Sequence, residues 1–226
     1  MKERSFILSS INQMTGVGTQ TKESEKQRLD IRNVEQYLVN KYMPGAEIST
    51  IEVYRLNMRA LVQADYGKEQ DCAITSITAL IDYYTKHGHE VQEIYDTVEK
   101  IAKKYGYNGD TYGTPSLTIR KILDEAYDTY GLAQNAKEKC FKNLGYTYNF
   151  IKIRLGMYMP MILSLWSDGR DFYKNHSVTV VGYRVFRLVK NEKTMDCPTL
   201  MVYDNWVKTT SYIDFTCLGI ISSIIY

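Results

Sequence analysis

Apolar and polar positions divide this chain into two halves with different periods. From Glu25 to Tyr42, residues Leu29, Val34, Leu38 and Tyr42, joined by Ile31 and Tyr37, recur at helical spacing, and Pro44-Gly45 closes the segment. Ile51 to Val62 is compatible with strand or helix. Ala73, Ile74, Ile77, Leu80, Ile81 and Tyr84 then predict a helix that stops at Gly88, with Asp71 as its expected N-cap and Cys72 in its first turn. A further amphipathic helix carries Val91, Ile94, Val98, Ile101 and Tyr105 and ends at Gly106. After a Gly-, Asn- and Asp-rich loop over 106–113, Thr114-Pro115 opens another helix, with Ile119, Ile122, Leu123, Ala126 and Tyr130 inward. A short helix is expected near Asn149.

Beyond Gly156 the period changes to two. Pro160 to Trp166, Ser177 to Arg187, Thr199 to Asp204, Thr209 to Phe215 and Gly219 to Tyr226 read as five strands. Helices followed by strands, without alternation of the two, predict an α+β fold with an antiparallel sheet. The helical half would pack on the sheet half, and a cleft is expected at their seam. Residues 11–23, rich in Gly, Thr, Gln and Lys, read as a loosely attached segment. The chain therefore divides into an N-terminal extension (1–60) and one domain (61–226), a length ordinary for a single core.

Composition narrows the classes further. A net charge of +2 over 226 residues gives no basic footprint for a nucleic-acid partner. No apolar run approaches the roughly 18 residues of a membrane span. Phe6-Ile7-Leu8 is too short for a secretory signal, and Glu3 spoils its basic flank. The four cysteines (Cys72, Cys140, Cys197, Cys217) form no C-x-x-C pair, so neither a zinc site nor another metal or cofactor is expected. Cys140, Cys197 and Cys217 are expected reduced.

One constellation carries chemistry. Cys72 begins a helix, where unpaired N–H groups and the macrodipole favour thiolate, although Asp71 opposes them. His176 heads an alternating row with Val178, Val180 and Gly182, and Gly182 would admit the close approach of another backbone. His87 and His89 lie in a Lys-His-Gly-His stretch that ends a helix. Asp204-Asn205-Trp206 follows His176 by 28 residues. Together these are the parts of a thiol nucleophile (Cys72), its general base and acid (His176), an orienter (Asp204) and a shield for the His–Asp bond (Trp206). Taken singly, each part is explained as packing or as a turn.

The segment from Cys72-Ala73-Ile74-Thr75-Ser76 to Asp82-Tyr83-Tyr84 resembles the nucleophile helix of papain-like cysteine peptidases of the bacteriocin-leader-processing (double-glycine peptidase) type, a bacterial group. Asn175-His176-Ser177-Val178-Thr179-Val180-Val181-Gly182-Tyr183 is similar to the histidine strand of papain and these relatives, and Val202-Tyr203-Asp204-Asn205-Trp206 to the strand ending in Asn-Ser-Trp. The resemblance spans roughly residues 65–215. It implies a papain-like fold, a Cys–His–Asp triad, and hydrolysis of peptide or protein substrates through a thioester on Cys72.

It also implies a glutamine oxyanion donor six residues before the cysteine, where this chain has Tyr66. Gln70 and Gln63 are the candidates, and Gln70 is preferred because it stays near the Cys72 N–H. An acyltransferase or transglutaminase-type enzyme using the same triad, and a catalytically silent peptide-binding module, are the alternatives. Residues 1–60 are a candidate prosegment or lid by position. No transporter domain is in view.

Overall fold

The computed structural model describes residues 33–66, 70–111, 113–140, 144–165, 176–215 and 222–226. In chain order these form α1 (Val34–Tyr42), β1 (Glu47–Arg55), α2 (Cys72–Tyr84), α3 (Val91–Lys104), α4 (Ile119–Thr129), β2 (Glu138–Cys140), α5 (Leu144–Gly156), β3 (Met161–Leu165), β4 (His176–Lys190), β5 (Lys193–Tyr203), β6 (Ser211–Asp214) and β7 (Ser222–Ile225). Short 3-10 turns cover Gln63–Tyr66 and Ser116–Thr118. The expected segment 11–23, residues 25–32 of the first expected helix, Trp166 and Cys217 lie outside the described residues.

The protein is α+β: the described residues form five helices and one antiparallel seven-stranded sheet of order β2-β7-β3-β4-β5-β6, to which β1 adds by pairing with β4. β4 is the spine. Its first residues, His176 to Val180, pair with β3, while Gly182 to Val189 pair with β1. β5 runs along nearly its whole length, from Tyr203 opposite Thr179 to Lys193 opposite Lys190.

Two strands run longer than their alternation suggests. Asn191 and Glu192 both take positive φ (49° and 64°), forming the two-residue turn whose twist matches a β-hairpin. The hairpin extends β4 past Arg187 and starts β5 at Lys193 rather than Thr199.

Of the ambiguous stretch Ile51 to Val62, residues 51–55 belong to β1 and residues 56–62 are neither strand nor helix, so residues 47–55 of the N-terminal segment are a strand of the sheet. Gly182 is the point where β1 presses on β4: a Cβ there would sit 2.3 Å from the Tyr54 carbonyl oxygen and 3.0 Å from Arg55 Cα. Only glycine tolerates that approach. A bulge between Val180 and Gly182 takes Gly182 out of the simple alternation expected with His176, Val178 and Val180. β2 and the first turn of α5, which begins at Leu144 rather than near Asn149, carry no strong periodic signal and were not anticipated.

α2 runs through the centre of the main core. Every residue from Cys72 to Asp82 is buried, polar Thr75, Ser76 and Thr78 included, so this helix has no solvent face. It packs on β3 and β4 and against α3 and α4. A smaller core joins Val34 and Leu38 of α1 to Phe186, Leu188 and Cys197. There Asp214 of β6 accepts from Tyr42 Oη (2.6 Å) and from Lys41 Nζ (3.0 Å), tying α1 to the sheet edge. Among the described residues no helix is long and apolar enough to cross a membrane, and no group of His, Cys, Asp and Glu could hold a metal ion.

Candidate active site at the seam of helix α2 and strand β4

Cys72 opens α2 and Asp71 is its N-cap residue, as expected, with the Asp71 carbonyl accepting from Thr75 N at 2.8 Å. The Asp71 side chain makes no cap hydrogen bond. Its carboxylate, fully buried, instead accepts the hydroxyls of Tyr95 on α3 and Tyr107 in the following loop. Asp71 thus holds the N-cap position without a side-chain cap bond: two tyrosine donors outcompete the helix's own N–H groups for its carboxylate, because a charged acceptor buried away from water needs the strongest donors within reach. Burial, and then the hydrogen bond to Asp71, push both phenols far above their ordinary range.

The start of α2 meets β4 at Ser177, the residue after His176: the Asn205 amide nitrogen lies 2.9 Å from the Cys72 carbonyl and 2.9 Å from the Ser177 carbonyl. His176 heads β4, paired with Leu165 of β3. Its Nε2 lies 2.7 Å from the main-chain oxygen of Asp204. A carbonyl only accepts, so Nε2 carries the proton and Nδ1 is the basic nitrogen of the neutral ring. The ring stacks on the Trp206 indole with centroids 4.3 Å apart and planes 22° from parallel.

Asp204 thus contacts the imidazole through its backbone, and its carboxylate organises the turn that follows. Oδ1 accepts from Trp206 N (3.0 Å) and Val207 N (3.3 Å), and Oδ2 from Ser211 Oγ (2.7 Å). That turn delivers Trp206 to the ring. Asn205 takes φ +64°, a conformation asparagine tolerates better than most residues. Its carbonyl accepts from Gln63 N at 2.8 Å, which seats Gln63 beside the site. Gln70 is also buried, one residue before Asp71, with its amide oxygen lacking a hydrogen-bond partner among the described residues.

Burial dominates the electrostatics. Cys72 and His176 are each 1% exposed. Desolvation pushes the Cys72 thiol up to about 11 against the pull of the Ser177 and Ala73 hydrogen bonds, with the charge of Asp71 adding to the rise. Desolvation likewise pushes His176 down to about 4, opposed by the Asp204 carbonyl and carboxylate. Burial thus favours the uncharged form of both the Cys72 thiol and the His176 imidazole. Burial works against the thiolate expected from the helix N-terminus, because losing water outweighs a partial dipole charge.

No family model and no curated protein matches this chain.

Of the residues singled out in the sequence, His176, Asp204 and Trp206 converge, and Asn205 ties the Cys72 carbonyl to that of Ser177, the neighbour of His176, although Cys72 and His176 come from elements about a hundred residues apart. His87 and His89 stay outside: His87 Nδ1 is 2.7 Å from Asp82 Oδ2, and His89 packs edge-on against Tyr130. Cys72, Cys140 and Cys197 are free thiols. Sequence reasoning missed Ser177, Ser76 and Asn205. The signal for Asn205 was its place in an Asp-Asn turn, which announces a left-handed residue but not what its amide will bind.

Proposed function

We propose that this protein is a cysteine peptidase with a papain-like arrangement, a central nucleophile helix laid on an antiparallel sheet, cutting peptide amide bonds through a thioester on Cys72. The observation that carries the reading is the joining of the Cys72 end of α2 to Ser177 through the Asn205 amide, next to a His176 ring oriented by Asp204 and covered by Trp206.

Nδ1 of His176 takes the thiol proton as sulfur attacks the substrate carbonyl, so the ion pair forms together with the new C–S bond. The tetrahedral oxyanion is met by the Cys72 N–H at the start of α2 and by a glutamine amide. Gln63, anchored through its N–H to Asn205, is the better seated donor, with Gln70 the second candidate. The imidazolium then protonates the leaving amine. Water, activated by the same Nδ1, releases the acid and restores the thiol. Asp204 O holds the ring's tautomer throughout, and Trp206 keeps water from that bond, strengthening it in a lower dielectric.

Since the sulfur is buried at rest, peptide binding must uncover it. A peptide-based electrophile is expected to label Cys72 in the native protein while iodoacetamide at pH 7 labels exposed Cys140 first. The Cys72→Ala variant should take up no peptide probe and cut no peptide in a library profiled by mass. Labelling that spares Cys72, with equal cleavage by wild type and variant, would overturn the reading in favour of a silent binding module. Product mass in the presence of an added amine separates hydrolysis from acyl transfer.

A further inference from the structure

The Asn205 side chain makes three hydrogen bonds across the seam, and nothing in the triad chemistry requires it. Its Nδ2 lies 2.9 Å from the Cys72 carbonyl, 2.8 Å from Ser76 Oγ and 2.9 Å from the Ser177 carbonyl. Two of these acceptors are main-chain carbonyls that cannot donate, so the nitrogen must face them and the orientation of the amide is fixed by chemistry. Two N–H protons serve three acceptors. Ser76 Oγ relays part of the demand by donating to the Ser177 carbonyl at 3.4 Å, a long contact. The residue is 1% exposed, and its Oδ1 has no hydrogen-bond partner among the described residues.

We infer that Asn205 is a positioning residue that sets the spacing between nucleophile and base. One amide grips the carbonyl of the nucleophile's own residue and the carbonyl of the residue next to the base. Its backbone carbonyl holds Gln63, and the preceding carbonyl holds the His176 ring. Helix α2 and strand β4 are thereby locked in one register at the point where sulfur and imidazole must meet. The left-handed φ explains the residue type: glycine and asparagine accept it readily, and only asparagine brings two donors. Aspartate, the same shape, would place oxygens against two carbonyls.

This inference rests on the peptidase reading, and its test separates the two. Asn205→Gly keeps the turn and removes both donors; Asn205→Ser keeps one donor. Titrated for active sites, Asn205→Gly is expected to lose about 100-fold in kcat, the scale of a misplacement near 1 Å, with KM within about twofold of wild type. Asn205→Ser should fall between, and it alone carries the test if the glycine variant does not fold. A lowered Tm with wild-type kcat per titrated site and an unchanged pH profile would reduce Asn205 to a stabilising residue and overturn the assignment.

If wild-type protein shows no Cys72-dependent turnover, the peptidase reading falls, and the register claim is read from Cys72 alkylation against pH. Its midpoint, held up by burial in the wild type, should move down across the series Asn, Ser, Gly as the seam loosens and water reaches the sulfur. A midpoint that stays in place overturns the claim independently of catalysis.

Discussion

The imidazole of His176 lies nearly parallel to the indole of Trp206, 4.3 Å away, while its Nε2 points to the backbone oxygen of Asp204. A stacked aromatic pair is worth about 0.5–1.5 kcal/mol beyond its buried area, and here it also screens a hydrogen bond from water. Trp206→Ala is therefore expected to lower kcat about tenfold, one factor of ten for each 1.4 kcal/mol. Trp206→Phe should retain most of the activity. Steady-state kinetics on both variants checks this; equal losses would mean that the stack plays no part.

His176 links folding to pH. Its folded value, about 4, lies below its ordinary 6.5, so the unfolded chain binds a proton that the folded protein refuses. Stability from this group is fully present above pH 6.5 and is lost as pH falls through that interval. The loss approaches roughly 3 kcal/mol once both states are protonated. Urea unfolding at pH 7, 5.5 and 4 should show the decline, and His176→Gln should flatten it over the same interval.

Asp71→Asn has two consequences of opposite sign. The Tyr95 and Tyr107 hydroxyls lose a charged acceptor in a buried site, at a cost of about 1–3 kcal/mol in unfolding free energy. The negative charge that helps hold the Cys72 thiol up also disappears, so alkylation of Cys72 at a fixed pH should accelerate. Denaturant titration and iodoacetamide kinetics read the two effects separately. A slower alkylation would contradict the assigned influence of Asp71.

Gln63 and Gln70 are separable by kinetics. Loss of an oxyanion donor lowers kcat by about 10²–10³. That loss is expected for Gln63→Ala, whose main chain is anchored on Asn205. Gln70→Ala should stay within a fewfold of wild type. The reverse ranking would return the role to Gln70.

Gly182→Ala forces a methyl against the Tyr54 carbonyl of β1, a backbone atom that cannot turn aside. Overpacking of this kind costs about 1–3 kcal/mol. The expected result is a lower Tm with local damage to the β1–β4 pairing, visible as faster amide exchange at Arg55 and Leu56, whose N–H donates to the Val181 carbonyl at 2.8 Å.

Periodicity made much of this fold legible. The apolar spacing of Ala73 to Tyr84, Val91 to Tyr105 and Ile119 to Tyr130 gave three helices, and alternation gave the sheet and its antiparallel class. Elements held by partners rather than by their own pattern escaped. β2 has three residues and exists because β7 pairs with it. The strand identity of residues 47–55 rests on β4, and the all-round burial of α2 on four neighbouring elements.

The sequence by itself determined that a cysteine begins a helix, that a histidine heads a strand and that an Asp-Asn-Trp turn follows the next one. These depend on residues within a few positions of each other, where propensity, caps and alternation act. Tertiary structure decided everything that depends on water and on distant partners. It buried the Cys72 thiol and the His176 imidazole so that both are pushed toward their uncharged forms, turned the Asp204 carboxylate into a turn organiser and its carbonyl into the ring's partner, and gave Asn205 an acceptor 133 residues away. Desolvation and hydrogen-bond competition are properties of the packed seam, and no local pattern encodes which donors will reach it first.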